Sequence, residues 1–279
     1  MIPSLLAEFP ECSRVRLCRL LNVSLSESYR KTKKKEPSLL IAIEKIVMTF
    51  LGYGYRRVHR ELKVQGFETS LHQVKELMRK EGLGVRVRSR RSKSITKPGV
   101  VSGALENLLS QYEATRPGEI WVADMTLIRT GSGACYVAAI LDAFSRKAVA
   151  WSLSRSPDLT LALDCLEKAL KKRKPAQGWI HHSDRGSTYT ALSYQSMVRA
   201  SGGRISYSRP GKPTDNPQAE SFFATLKKEE VRGNSYDSFL ELEASLERYI
   251  DGNYNAVRMH SALGYLSPEQ YEAQTGEAG

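Results

Sequence analysis

Three apolar segments with short polar connections constrain this chain more than any other feature: EIWVADMTLI (residues 119–128), ACYVAAILDAF (134–144) and RKAVAWSL (146–153). The first connection is the turn Thr130-Gly131-Ser132-Gly133. Connections this short cannot carry a parallel crossover, so the segments predict three strands of an antiparallel meander. A helix rich in leucine and alanine follows over about residues 160–172, then a short strand in GWIHHSD, a helix in ALSYQSMVRA and a short strand in GRISYS. The order βββαβαβα predicts an α/β layer around a mixed sheet.

Asp124 is out of place in that pattern. Its strand neighbours Trp121, Val122, Ala123, Met125, Leu127 and Ile128 predict burial, and an unpaired buried carboxylate costs several kcal/mol. A basic side chain or a metal ion must compensate it. Asp184 repeats the situation at the carboxyl end of the GWIHH strand, where open α/β sheets place their ligand sites. Its surroundings, HHSDRGSTYT, hold two histidines and several hydroxyls. Neighbouring strand residues point to opposite faces, so His181 and His182 cannot readily ligate one ion together with Asp184. Ser183, Ser187 and Thr188 lack the G-x-S-x-G setting of a hydrolase nucleophile.

A third carboxylate lies in GKPTDNPQAESFFATLKKEE. Asp215 or Asn216 suits the N-cap of a helix and Pro217 its first turn. Ala219, Phe222, Phe223 and Leu226 form the core stripe, with Glu220 at its edge, and Lys227 returns to the Glu220 face within about 20° on ideal geometry. Taken alone, the segment reads better as an exposed Glu and Lys on a solvated helix than as a site.

Charge is distributed unevenly. Residues 1–100 hold 22 Lys and Arg against 9 Asp and Glu, a net of +13, whereas residues 101–279 hold 20 against 21, a net of −1. A basic front half attached to a nearly neutral back half fits polyanion binding, with a solvated basic surface as the alternative. Within it, RVRLCRLLNVSLSESYRK reads as a short helix with Val15, Cys18, Leu20 and Leu21, a break at Asn22-Val23, and a second helix opened by the Ser24/Glu27 capping box, together helix-turn-helix-like. A basic run follows at residues 31–35, then a helix over about 37–50 patterned on Leu39, Leu40, Ile43, Ile46, Val47 and Phe50. The third helical segment is YGYRRVHREL, which contains Arg56 and Arg57. Ser70 and Gln73 open a fourth, whose Val74, Leu77 and Met78 face a core while His72, Gln73, Lys75, Arg79 and Lys80 stay polar. That polar face suits a major groove or plain solvent. GVRVRSRRSKSITKPG (84–99) is a linker with six basic residues and no acidic ones, able to follow phosphates or to serve as a passive tether. The four cysteines are scattered, which predicts reduced thiols rather than a disulfide framework. Without a membrane-length apolar run or a secretory leader, the expected location is cytoplasmic.

The three acids share a spacing. Thirty-five residues separate Asp184 from Glu220, 59 separate Asp124 from Asp184, and a basic residue stands seven after the Glu. This resembles the signature of DDE transposases and retroviral integrases. More specifically, WVADMTLI, LDAFSRKAVAW, HHSDRGSTYT, DNPQAESFFATLK and NYNAVRMHSALGYLSP, in that order, resemble the second-frame (OrfB) product of bacterial insertion sequences encoded in two overlapping frames, over about residues 14–271. The resemblance implies an RNase H-like catalytic core, with a mixed five-stranded sheet flanked by helices, behind a helical, helix-turn-helix-like DNA-binding region. It divides the chain into residues 1–35, 36–83, a basic linker 84–115, and a core at 116–275 with C-terminal helices.

It further implies Asp124, Asp184 and Glu220 as catalytic ligands of Mg²⁺ or Mn²⁺, two ions in all. Nicking of element ends and transfer of the freed 3′-hydroxyl into DNA would follow. Lys227, Arg209, Lys212, His182, Arg56, Arg57, Arg88, Arg90 and Arg91 are the DNA-contact candidates, with the loop 209–214 closing over the strand and His181 left as a structural histidine. Implied partners are double-stranded DNA at element ends and target, further copies of the chain on DNA, and the upstream-frame product, whose leucine zipper has no counterpart heptad run here. The protein would be nucleoid-associated when bound and has no membrane partner. The rival readings are a catalytically inactive or domesticated DNA-binding derivative and a stand-alone metal-dependent nuclease.

Overall fold

A computed structural model describes residues 13–21, 37–84, 106–210, 212 and 215–276. The chain divides into two compact units between Lys45 and Ile46. The first contains α1 (Arg14–Leu20). Of the four apolar positions expected to form its stripe, Cys18 is buried, whereas Val15, Leu20 and Leu21 are exposed. The second helix of the expected hairpin, its Ser24/Glu27 box, the basic run at 31–35 and most of the linker lie outside the described residues. In α2 (Pro37–Thr49) the stripe is buried at Leu39, Ile43 and Ile46.

Two short helices follow, α3 (Tyr55–Val64) and α4 (Leu71–Lys80), with Val58, Leu62, Val74 and Met78 buried. The Ser70 hydroxyl accepts the Gln73 N–H at 3.1 Å, as the capping spacing predicts. α3 stops at Gly66, whose positive φ lets Phe67 N–H reach back to the Leu62 carbonyl. On α4 the outer face keeps His72, Lys75, Arg79 and Lys80 exposed.

The larger unit is organised by one sheet. β1 (Ile120–Thr130), β2 (Gly133–Asp142) and β3 (Ala148–Ser154) form the expected meander; α5 (Leu159–Lys172), β4 (Ile180–Ser183), α6 (Leu192–Ala200) and β5 (Arg204–Tyr207) follow. The strand order is β3-β2-β1-β4-β5, antiparallel across β1–β2 and β2–β3 and parallel across β1–β4 and β4–β5. Alternation along β1 and β2 sends Trp121, Ala123, Ala138 and Ile140 to one face, with Leu161, Cys165, Leu166, Tyr194 and Val198 of α5 and α6. It sends Val122, Ile128, Val137, Ala139 and Leu141 to the other, with Ala219, Phe222, Phe223 and Leu226 of α7 (Pro217–Leu226) and Leu242 and Leu246 of α8 (Phe239–Glu247). A final helix, α9, spans Pro268–Gly276. This is the mixed five-stranded RNase H-like architecture that the motifs imply.

Two features have no counterpart in the sequence reading. α7 and α8 each continue into a wider π-helical segment, Lys227–Val231 and Arg248–Asn255, where the backbone hydrogen bonds span five residues. Among the described residues no helix is long and apolar enough to cross a membrane.

Candidate active site

Three elements bring the carboxylates to one region. Asp124 pairs with Ala139 of β2 in register, and alternation puts it on the Val122 side of the sheet, the side covered by α7. Asp184 follows directly on the last residue of β4, the parallel neighbour of β1, and accepts the Gly186 N–H at 2.9 Å. Glu220 is an exposed residue in the first turn of α7.

Asp124 carries the strongest electrostatic signature of the three. Burial raises its pKa to about 7; the charges of Asp184 and Glu220 push the same way, against the Met125 N–H, which donates to it at 2.7 Å, and Lys227. Burial also raises Glu220. Lys227 is half-buried; burial lowers its ammonium while Asp124 pulls it back up. Among the described residues no three His, Cys, Asp or Glu side chains stand close enough to hold an ion. The acids are thus electrostatic neighbours and not a closed ligand cage. Their chemistry, hard oxygen donors of like charge around a half-buried carboxylate, suits a hard divalent cation.

The raised pKa has a consequence for stability. An acid whose folded pKa lies above its unfolded value destabilises the fold increasingly as pH rises from about 4 to about 7. In buffer without divalent cations, Asp124→Asn therefore stabilises the protein at pH 8 by up to about 4 kcal/mol, and by much less at pH 4.5. Thermal melts of both proteins at the two pH values check this; equal differences at both would contradict the assigned burial.

The start of α7 departs from the capping expectation. Asn216 occupies the N-cap position but makes no side-chain cap bond. Its Nδ2 donates instead to the Ala123 carbonyl at 3.0 Å, and its Oδ1 is buried without a partner. Asp215 binds Arg209 through the backbone N–H (2.8 Å), Nε (2.9 Å) and Nη2 (2.8 Å), which closes the loop before the helix.

The histidines are both structural. His181 meets the Tyr194 hydroxyl at 2.8 Å on one face, and burial lowers its pKa to about 3. His182 is fully buried, with Nδ1 2.8 Å from Ser206 Oγ and Nε2 3.0 Å from Ser208 Oγ; burial lowers it to about 4. Both ring nitrogens are occupied, so His182 is withdrawn from the DNA-contact candidates. Arg57 is withdrawn as well. Its guanidinium turns inward, 5.5 Å over the Tyr53 ring and 4.0 Å from Glu229. Arg56 is exposed beside the Tyr55 ring, Arg209 and Lys212 are exposed at the loop before α7, and Arg88, Arg90 and Arg91 lie outside the described residues.

Glu229 was missed in the sequence. It is gripped by Arg258 (Nε–Oε2 and Nη2–Oε1, both 2.7 Å) and by the Tyr249 hydroxyl (2.8 Å). Burial pushes its pKa up, but the Arg258 bonds and charge, with Tyr249 and Arg57, outweigh this and hold it low. Gly52 is packed against the same side chain, and a Cβ at that position would overlap it.

Residues 114–213 match the model of an integrase core domain, residues 201–268 match a second integrase core model, and residues 35–92 match an HTH-like domain. The transposase for insertion sequence element IS904 of Lactococcus lactis is 37% identical over 249 residues, covering 88% of this chain and 98% of the relative. Transposase InsF for insertion sequence IS3A of Escherichia coli is 33% identical over 273 residues, covering 94% of each. Solved structures that align include the HTLV-2 integrase catalytic core domain in complex with magnesium (TM-score 0.43, 13% identity, 57% of this chain and 99% of that one). The Mos1 transposase catalytic domain with Raltegravir and Mn also aligns (TM-score 0.43, 13% identity, 57% and 77%).

Proposed function

The chain belongs to the IS3 family of insertion-sequence transposases, which join an integrase core to an HTH-like region, and from that premise we propose that it nicks its element's ends and transfers the freed 3′-hydroxyls into DNA at Asp124, Asp184 and Glu220. The observation that carries the reading is Asp124 itself, a half-buried carboxylate on a central strand whose pKa is raised to about 7 by desolvation and by two further acids from separate elements. Such a group is costly to keep unless a cation is its working partner.

Asp124, Asp184 and Glu220 would hold Mg²⁺ or Mn²⁺, two ions in our reading, which supply Lewis-acid charge to the attacking and leaving oxygens. The attacker is water when an end is nicked and the freed 3′-hydroxyl when that end is joined. In each case one P–O bond forms as the 3′-oxygen bond breaks, so no covalent enzyme intermediate is required. Lys227, half-buried and within the field of Asp124, is suited to the scissile phosphate. Arg209 and Lys212 line the loop beside the strand, and Arg56, Arg88, Arg90 and Arg91 contribute phosphate contacts in the segments before the core. Double-stranded DNA is the substrate. Assembly of several copies on it, engagement of the upstream-frame product, the domain division 1–35, 36–83, 84–115 and 116–275, and a cytoplasmic, nucleoid-associated location complete the proposal.

The test is a cleavage and strand-transfer assay on DNA flanking the coding sequence, with and without Mg²⁺ and with and without the upstream frame. Mg²⁺-dependent nicks at the element's 3′ ends and joined products are expected. Binding without nicking would favour the inactive DNA-binding derivative, and end-independent degradation without joined products would favour the nuclease.

A further inference from the structure

Resting on the reading that Asp124, Asp184 and Glu220 bind a divalent cation, we propose that Asn216 is a positioning residue that sets the distance between the Asp124 strand and the Glu220 helix and offers an acceptor to a water ligand of the ion.

The connections are direct. Pairing between β1 and β4 stops at Val122 and His182. At the next residue, the Ala123 carbonyl receives the Asn216 Nδ2 at 3.0 Å, immediately before Asp124 in the chain. On its other side, the Asn216 carbonyl accepts the Glu220 N–H at 3.3 Å, one helical turn away. Asn216 is therefore the hydrogen-bonded link from the backbone next to one acid to the backbone of another.

Its amide is not spent on ordinary tasks. An N-cap residue uses its side-chain oxygen to accept an N–H of the first turn, and Asn216 makes no such bond. The bond to Ala123 fixes which atom is nitrogen, so the remaining atom is an acceptor, Oδ1, and it has no partner although the residue is only 6% exposed. Leaving a buried acceptor empty is unfavourable unless some donor fills it in the working state. Mg²⁺ keeps several of its waters when bound by carboxylates, and each is an O–H donor. A contact of this kind beyond the direct ligands changes metal affinity by roughly 10- to 100-fold.

The full chain is compared with Asn216→Ser, which keeps an N-cap residue but cannot span to the Ala123 carbonyl, and with Asn216→Leu, which is close to it in size and can neither donate to that carbonyl nor accept from a water. Two readouts are followed across a Mg²⁺ titration: the rise in Tm without DNA, and the rate of strand joining. Each variant should require about tenfold more Mg²⁺ or higher for half of the Tm rise and for half-maximal joining, with the KM for DNA within about twofold of the parent. If Asn216→Ser melts far below the parent without Mg²⁺, Asn216→Leu decides. Mg²⁺ requirements within twofold of the parent in a folded variant overturn the role of Asn216 and leave the carboxylate site intact. A parent whose Tm rise with Mg²⁺ is absent, or is unchanged by Asp124→Asn, overturns the carboxylate reading and with it the role of Asn216.

Discussion

Asp184→Asn and Glu220→Gln are each expected to lower strand joining by at least about 10³-fold, about 4 kcal/mol of transition-state stabilisation, while binding of end DNA stays within about threefold. The separation of rate from binding and folding follows from where the two side chains stand. Glu220 is exposed on α7, outside the buried stripe of Ala219, Phe222, Phe223 and Leu226 that holds the helix on the sheet. Asp184 accepts one backbone N–H, from Gly186 at 2.9 Å, and the Asn side chain keeps an oxygen for that bond. Neither change should move Tm by more than about 2 °C, since substitutions that create no cavity and strand no buried group stay within about 0.5 kcal/mol. DNA binding loses nothing, because removing a negative charge near a phosphate relieves repulsion. Single-turnover joining, band shift and thermal melt on the same preparations test the three parts. Joining within tenfold of the parent for either variant would remove that residue from the catalytic set.

Much of this site was legible because strand periodicity is a strong signal. An acid inside EIWVADMTLI breaks an otherwise apolar strand, and β1 places it as the alternation requires. The antiparallel pairing of the first three strands followed from their short connections. What alternation could not provide was the partner of each side chain. It separated His181 from His182 onto opposite faces but gave no view of Ser206 and Ser208, which arrive from β5 and the residue beyond it. Likewise Arg57 reads as one more cation in a basic helix until Tyr53 and Glu229 are placed around it. At the N-terminus, periodicity did not find the buried face of α1: of its four expected apolar positions only Cys18 is buried, and Val15, Leu20 and Leu21 are exposed.

Glu229 shows how an acid in a charged run can be misread. In LKKEE it has the appearance of a solvated residue, yet it stands seven residues after Phe222 and three after Leu226, both buried. On ideal α-helical geometry, which the sequence alone suggests here, seven residues return to nearly the same helix face. An acid on the extension of an apolar stripe demands a buried cation, and Arg258 in the final loop supplies it.

Glu229→Ala is accordingly expected to destabilise the fold by about 3–5 kcal/mol, lowering Tm by roughly 6–20 °C for a unit of this size. The cost comes from the groups left behind. The Arg258 side chain is 4% exposed and loses both of its bonds to Glu229, the Tyr249 hydroxyl loses its acceptor, and Arg57 loses its nearest carboxylate. Arg258→Met together with Glu229→Gln should cost less than Glu229→Ala alone, because the second change then strands no buried cation. The pH dependence has a definite sign. Glu229 is held below its ordinary value of 4.5, so its contribution is complete above that value and disappears as pH falls through the lower, folded-state value. The gap in Tm between parent and Glu229→Ala should therefore shrink in acid, whereas the advantage of Asp124→Asn grows with rising pH. The same cluster fastens the segment entering α3 to the core, through Gly52 packed on Glu229 and the Tyr53 hydroxyl accepting the Met259 N–H at 2.8 Å. Loss of Glu229 should thus increase hydrogen exchange in α3 and α4 more than in β1 and β2, whose amides are tied into the centre of the sheet. A melt within 2 °C of the parent, or exchange raised uniformly across the unit, would contradict this account of how the helices are held to the core.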